Sequence, residues 1–205
     1  MKNVLNAALA GLLLTATISS ASGAVVQLGS VTKTYGTGQG PASIGPGSCD
    51  TLNASSVTVR DGGSCTQRFY DLFDFSPLNY TSLDHLTLTL SFNSTNNFLE
   101  DWRVRFAQST TVASSNLMNM SEVGGSGTTQ AFTLNAANGG SIFTTIAANE
   151  RMYLWFAEEG LGAHNFNLLS ARLDVYGTAV PEPASMALFG IALGALGVAR
   201  RRKTR

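Results

Sequence analysis

Two pairs of carboxylates lie close together in this chain: Asp71 and Asp74 in FYDLFDF, and Glu158 and Glu159 just before Gly160. Paired acids can hydrolyse a glycosidic bond when held at a fixed separation. They can also bind Ca²⁺ when carbonyl oxygens complete the shell. Neither pair has the alternating Asp/Asn spacing of a calcium loop, and solvated acids at strand ends are the commoner arrangement. Two histidines, His85 beside Asp84 and His164 in EEGLGAHNFN, are about 80 residues apart. His85 reads as a polar residue at a strand start, and His164 as part of a loop between two strands. No H-E-x-x-H, G-x-S-x-G, phosphate-binding loop or dinucleotide fingerprint occurs. The expectation is a protein that is not an enzyme, with no catalytic residue, metal or cofactor. Trp102, Tyr153, Trp155, Phe156 and Tyr176 form the other candidate set. They would stack on a sugar ring if exposed on one face, but aromatic residues in strands more often build a core.

These residues must be positioned by strands. HLTLTLSF puts Leu86, Leu88, Leu90 and Phe92 on one face; WRVRF puts Trp102, Val104 and Phe106 inward and Arg103 and Arg105 outward. LLSARLDVYG is expected to bury Leu169, Ala171, Leu173 and Val175. MYLWFAEE is apolar on both faces, as a central or doubly covered strand would be. Val25–Val31, Ser56–Val59, Phe69–Phe75 and Gln130–Leu134 are weaker candidates. Alternation at period 2 is what a half-buried strand requires. Turns are expected at Asp61-Gly62-Gly63, Gly124-Gly125-Ser126-Gly127 and Asn138-Gly139-Gly140, a long loop over residues 36–50, and a short helical turn within 135–149. About eight strands so punctuated imply an all-β, antiparallel β-sandwich or jelly-roll-like domain. Sequons occur at Asn53, Asn79, Asn93 and Asn119.

The two ends differ from this domain. MKNVLNAALAGLLLTATISSASGAVV has a basic residue, Lys2, an apolar run from Val4 to Ile18, and a small-residue stretch ending in Ser22-Gly23-Ala24. That is the layout of a secretory signal peptide, cut after Gly23 or Ala24. The division expected is a signal peptide over 1–24, a folded domain over 25–179 and a C-terminal segment over 180–205. Six of the 13 basic residues lie in the end segments, but only Glu182 of the 13 acids does. The central domain thus holds seven basic and twelve acidic residues, a net charge of −5. An acidic domain does not attract nucleic acid. In an exported chain the two cysteines, Cys49 and Cys65, suggest a disulfide. Closing that loop would contribute ~3 kcal/mol in the chain-entropy picture.

The C-terminal segment reads AVPEPASMALFGIALGALGVARRRKTR. Its apolar run, Ala184 to Ala199, has 16 residues; as a helix it would span roughly 24 Å, slightly short of a ~30 Å hydrocarbon core. Leu188, Phe189, Gly190, Leu193, Gly194 and Leu196 would form the membrane anchor, with Gly190-x-x-x-Gly194 allowing close helix approach. Arg200, Arg201, Arg202 and Lys203 would hold the end in the cytoplasm. A single transmembrane helix is therefore expected, with the domain on the far side of the inner membrane.

Val180-Pro181-Glu182-Pro183, the glycine-bearing apolar run and the terminal Arg cluster together resemble the PEP-CTERM protein-sorting tail of Gram-negative bacteria. The resemblance covers about 26 residues. It implies cutting near Pro181-Glu182-Pro183 by an exosortase, after transient residence in the inner membrane and removal of the signal by signal peptidase. It implies a cell-surface or extracellular destination in bacteria that make exopolysaccharide and biofilm matrix. A proline-bounded segment stays extended, as a protease cleft requires. Phe69-x-Asp71-x-Phe73-x-Phe75 is similar to the F-x-D-x-F pattern of one group of such proteins and assigns no activity. Two functions fit these features. One is a non-enzymatic surface or matrix protein associated with exopolysaccharide; the other is a secreted carbohydrate-binding module. Exposed, contiguous aromatics would favour the second.

Overall fold

A computed structural model describes residues 23–38, 40–44, 49–62, 68–96, 100–110, 115–158 and 163–180. It has ten strands and one helix among the described residues: β1 (Val26–Thr34), β2 (Thr51–Leu52), β3 (Val57–Asp61), β4 (Tyr70–Asp74), β5 (Tyr80–Asn93), β6 (Trp102–Ala107), β7 (Ser115–Asn119), β8 (Thr128–Asn135), α1 (Ala136–Asn149), β9 (Arg151–Glu158) and β10 (His164–Ala179). All the pairings are antiparallel. One sheet runs β2-β3-β10-β5-β8, with β1 also on β10; the other runs β4-β9-β6-β7. The all-β expectation holds, with α1 longer than the short turn expected from sequence. The expected signal peptide, apart from Gly23 and Ala24, and the expected transmembrane segment lie outside the described residues. No helix among the described residues is long and apolar enough to cross a membrane.

The period-2 patterns make the core. Leu86, Leu88, Leu90 and Phe92 of β5 are fully buried, and so are Val104 and Phe106 of β6. β9 lies between β4 and β6. Its two faces are covered: Met152, Leu154 and Phe156 are buried, and so are Trp155 and Ala157 on the other side. Core rings meet edge to face, Phe166 with Trp102 at 4.6 Å and with Phe156 at 4.9 Å, in the geometry the ring quadrupoles prefer.

Strand β10 departs from the alternation expected. Leu168, not Leu169, is fully buried, and Leu169 is half-buried. The pairing with β5 slips between Leu168 and Ser170, so an extra residue at this bulge shifts which side chains face inward. The bulge marks a handover. β3 pairs with β10 from His164 to Leu168, and β1 with Ser170 to Gly177.

The Asn138-Gly139-Gly140 turn is also corrected: it lies inside α1. Asn135 caps the helix, its side chain accepting from the N–H groups of Ala137 and Asn138, while Asn138 Oδ1 accepts from Asn135 N–H. This reciprocal cap satisfies donors that the first turn leaves open. Glycine's permissiveness is still used, since Gly140 sits at φ 51° and kinks the helix. The turn expected around Gly127 does form, with Gly127 at φ 74°.

A polar ladder crosses the larger sheet. Asn53 Nδ2 donates to Thr58 Oγ1 at 2.9 Å, Thr58 to Asn167 Oδ1 at 2.8 Å, and Asn167 Nδ2 to Asn93 Oδ1 at 2.9 Å. Two of the four sequon asparagines, Asn53 and Asn93, are thus engaged in sheet structure, whereas Asn79 and Asn119 are exposed. Asn167→Ala should lower stability by about 1–2 kcal/mol in urea denaturation, because it removes two half-buried bonds at once. A variant as stable as the parent would show that water replaces the ladder at no cost.

Candidate functional site

The residues singled out for chemistry fall into separate places. Asp71 and Asp74 do not form a pair. Three positions apart on one strand, they project from opposite faces of β4. Asp71 is almost fully buried, and Asp74 is half-exposed beside Arg151 at 3.2 Å. The Ser76 hydroxyl and N–H, and then Arg151, hold the Asp74 carboxyl below its usual range.

Asp71 is the centre of a buried network. Its Oδ1 lies 2.6 Å from Lys33 Nζ and accepts from the N–H groups of Leu72 (2.8 Å) and Ala42 (3.3 Å). Its Oδ2 accepts from the Tyr35 hydroxyl at 2.9 Å. Lys33 is on β1, in one sheet, Tyr35 comes just after that strand, and Asp71 is on β4, in the other sheet. Phe69, Phe73 and Phe75 are buried around it, and Lys33 Nζ lies 5.2 Å from the Phe73 ring centre. The F-x-D-x-F pattern is therefore an inward face with one carboxylate set among three rings. That carboxylate is compensated by a cation and by hydrogen bonds, as a buried charge must be. Alternation alone could have found the inward direction of Asp71; it could not have found Lys33, which is 38 residues away in sequence.

The histidines also serve structure. His164 is the first residue of β10 rather than part of a loop. Its Nδ1 is 3.1 Å from Glu158 Oε1, and both side chains are buried or nearly so. The approach is within ion-pair range but lacks the alignment of a hydrogen bond. Glu159 lies outside the described residues. His85 is the sixth residue of β5 rather than its start; it stacks on Tyr176 at 4.3 Å and meets Asp84 at 2.7 Å. No group of three or more His, Cys, Asp or Glu among the described residues could hold a metal ion. The five candidate aromatics are buried or half-buried, and Trp155 stacks on Tyr70 at 4.9 Å. Cys49 is not a free thiol; Cys65, and with it the Cys49–Cys65 bridge, falls outside the described residues.

The remaining candidate is the junction with the C-terminal segment. β10 is paired to its last residue, Ala179 lying opposite Tyr80 and Gly177 opposite both Leu83 and Val26. A Cβ on Gly177 would collide with the Ser82 carbonyl oxygen, so glycine is required for the strands to close here. Val180 emerges half-exposed. Val180 is the first of the expected sorting residues; Pro181, Glu182 and Pro183, the expected anchor residues from Leu188 to Leu196, and Arg200 to Lys203 lie outside the described residues.

That junction is where the chain matches a known family. Residues 179–203 match the PEP-CTERM protein-sorting motif. No curated protein and no solved structure matches the chain. The motif implies export, processing by an exosortase, and a cell-surface or extracellular destination.

The interior network makes stability depend on pH and on Asp71. Burial, and then Asp71 nearby, raise the Tyr35 phenol well above its ordinary value; burial and Glu150 push Tyr80 up to about 12. A raised phenol favours the neutral form in the fold. Its contribution is complete below about pH 10, the unfolded value, and is lost as pH rises through the folded value. Urea midpoints should therefore fall above about pH 10. Tyr35→Phe should cost about 1–2 kcal/mol at neutral pH yet flatten that alkaline fall; an unchanged alkaline slope would remove Tyr35 as its cause. Asp71→Ala should cost about 3 kcal/mol, at the low end for a broken buried pair because Lys33 can turn toward water. A cost under about 0.5 kcal/mol, within the range of an ordinary surface change, would contradict the network.

Proposed function

We propose that this chain is a non-enzymatic surface or extracellular-matrix protein, exported under its N-terminal signal peptide and sorted by an exosortase that cuts near Pro181-Glu182-Pro183. The observation that carries this reading is the sorting-motif match over residues 179–203, which begins at the last residue of the final strand of an all-β domain. Signal peptidase removes the leader. The apolar run halts in the inner membrane, with Arg200, Arg201, Arg202 and Lys203 left in the cytoplasm. Cutting then frees an acidic domain whose role is structural or adhesive, in association with exopolysaccharide.

The engagement of Asp71, Asp74, Glu158 and both histidines in contacts within the fold supports a role without catalysis. The burial of the candidate aromatics supports a matrix role over carbohydrate binding, since stacking on a sugar needs exposed ring faces. An oxidised Cys49–Cys65 pair suits the same destination, outside the reducing cytoplasm.

Substituting Pro181, Glu182 and Pro183 together by Ala should leave the domain folded but retain it in the membrane fraction, while the parent is released to the surface or medium. Equal release of both would count against cutting at this motif. The released protein should carry no thiol reactive to maleimide until it is reduced; a free thiol before reduction would remove the bridge.

A further inference from the structure

Three large apolar side chains are exposed among the described residues, Val25, Val26 and Val180, and each is about half-accessible. They lie together. Val26 pairs with Gly177, Thr178 Oγ1 donates to the Gly23 carbonyl at 3.5 Å, and Val180 is the next residue after β10. The start of the domain and its exit thus meet at one pole of the larger sheet. The first residues of β5 complete this pole: Ala179 lies opposite Tyr80, and Thr81 Oγ1 donates to the Thr178 carbonyl at 3.1 Å. None of residues 23–32, 75–83 or 175–180 has a charged side chain, although the domain around them carries a net charge of −5; removal of the leader after Gly23 or Ala24 would add one α-ammonium group here, of the sign that anionic headgroups attract. The charged groups that border it are paired: Asp174, which accepts from Gln27 at 2.8 Å, meets Arg172, Asp74 meets Arg151, and Asp84 meets His85, while Glu150 faces Tyr80.

Chain length adds a constraint. The four steps from Val180 to Ala184 extend no further than about 14 Å. A polar interface of roughly 5–8 Å lies between the hydrocarbon core and water on each side of a bilayer, and takes up about half of that reach. If the apolar run begins at Ala184 and sits in lipid, the pole bearing Val180 has little room for intervening water.

We infer that, before the tail is cut, this uncharged pole of Val25, Val26, Tyr80, Thr81, Val180 and the residues between them rests on the outer surface of the inner membrane, against phospholipid headgroups. The inference depends on the membrane-anchor reading of Ala184–Ala199. Apolar side chains at the interface gain by leaving water, and a neutral surface avoids the repulsion that the acidic domain would meet at an anionic bilayer. Cutting beyond Val180 would release the pole from the membrane, so that the same step that frees the chain also exposes this patch.

The test uses the full chain from Val25 onward, without the leader whose own apolar run would bind lipid, in vesicles of phosphatidylethanolamine and phosphatidylglycerol. A fluorescent residue is introduced either at Ser82, exposed at this pole, or at Ser126, exposed in the turn at the opposite end of β5. Quenching by spin-labelled lipid is then read for each. The expected result is quenching several-fold stronger at position 82 than at position 126, and lost in a chain ending at Val180. Vesicle flotation with equal, weak quenching at both positions would overturn the docked pole and leave the anchor intact. Flotation with concentration-dependent self-association and no lipid quenching at position 82 would give the patch to a second copy, again overturning it. Failure of the full chain to float would defeat the anchor reading and this inference with it.

Discussion

The pairing of β10 is the constraint on which the rest of this structure depends. Of its 16 residues, Asn167 to Ala179 pair with β5 along one edge, while His164 to Leu168 pair with β3 and Ser170 to Gly177 with β1 along the other. β2 and β8 join the sheet only through β3 and β5. The bulge at Leu169 allows one strand to serve two neighbours, because it resets the inward face where β3 gives way to β1. The same strand ends at Ala179, the residue where the sorting-motif match begins. No described strand of this sheet lies beyond Ala179.

Between the two sheets, charged and polar side chains join the layers. Asp71 joins β4 to β1 through Lys33 and Tyr35, under a cover of phenylalanine rings. A buried ion pair gains little net stability over a well-packed apolar substitute. What it adds here is specificity of alignment, since Lys33 and Tyr35 can meet the carboxylate only when the edge of one sheet faces the edge of the other correctly. His164 and Glu158 approach to 3.1 Å between the start of β10 and the end of β9, without the alignment of the hydrogen bonds that hold Asp71.

Much of this fold is legible in the sequence, and the parts that are not share a physical cause. β5 and β6 announce themselves because every second residue is apolar, and β9 because it is apolar on both faces; the fold buries those residues. Alternation misplaces Leu169 because a bulge leaves no mark in an alternating pattern. Asn138-Gly139-Gly140 looks like a turn because its cap chemistry and its glycines are also turn chemistry; the helix is decided by Phe143 and Ile146 packing into the core. β2 and β7 escape detection, being short and weakly patterned. Asp71 can be assigned a face from sequence but not a partner, since contacts across sheets depend on topology rather than spacing. The sorting tail is readable at once, because its three parts act through order and composition and need no tertiary fold.

The most direct measurement is the intact mass of the protein collected outside cells of its native host. The expected mass is that of a chain lacking both its leader and everything beyond the Pro181–Ala184 region, with an oxidised Cys49–Cys65 pair. A full-length C-terminus, still bearing Arg200 to Arg205 and found only with the membrane, would contradict release by cutting; the domain would then be a permanently anchored one.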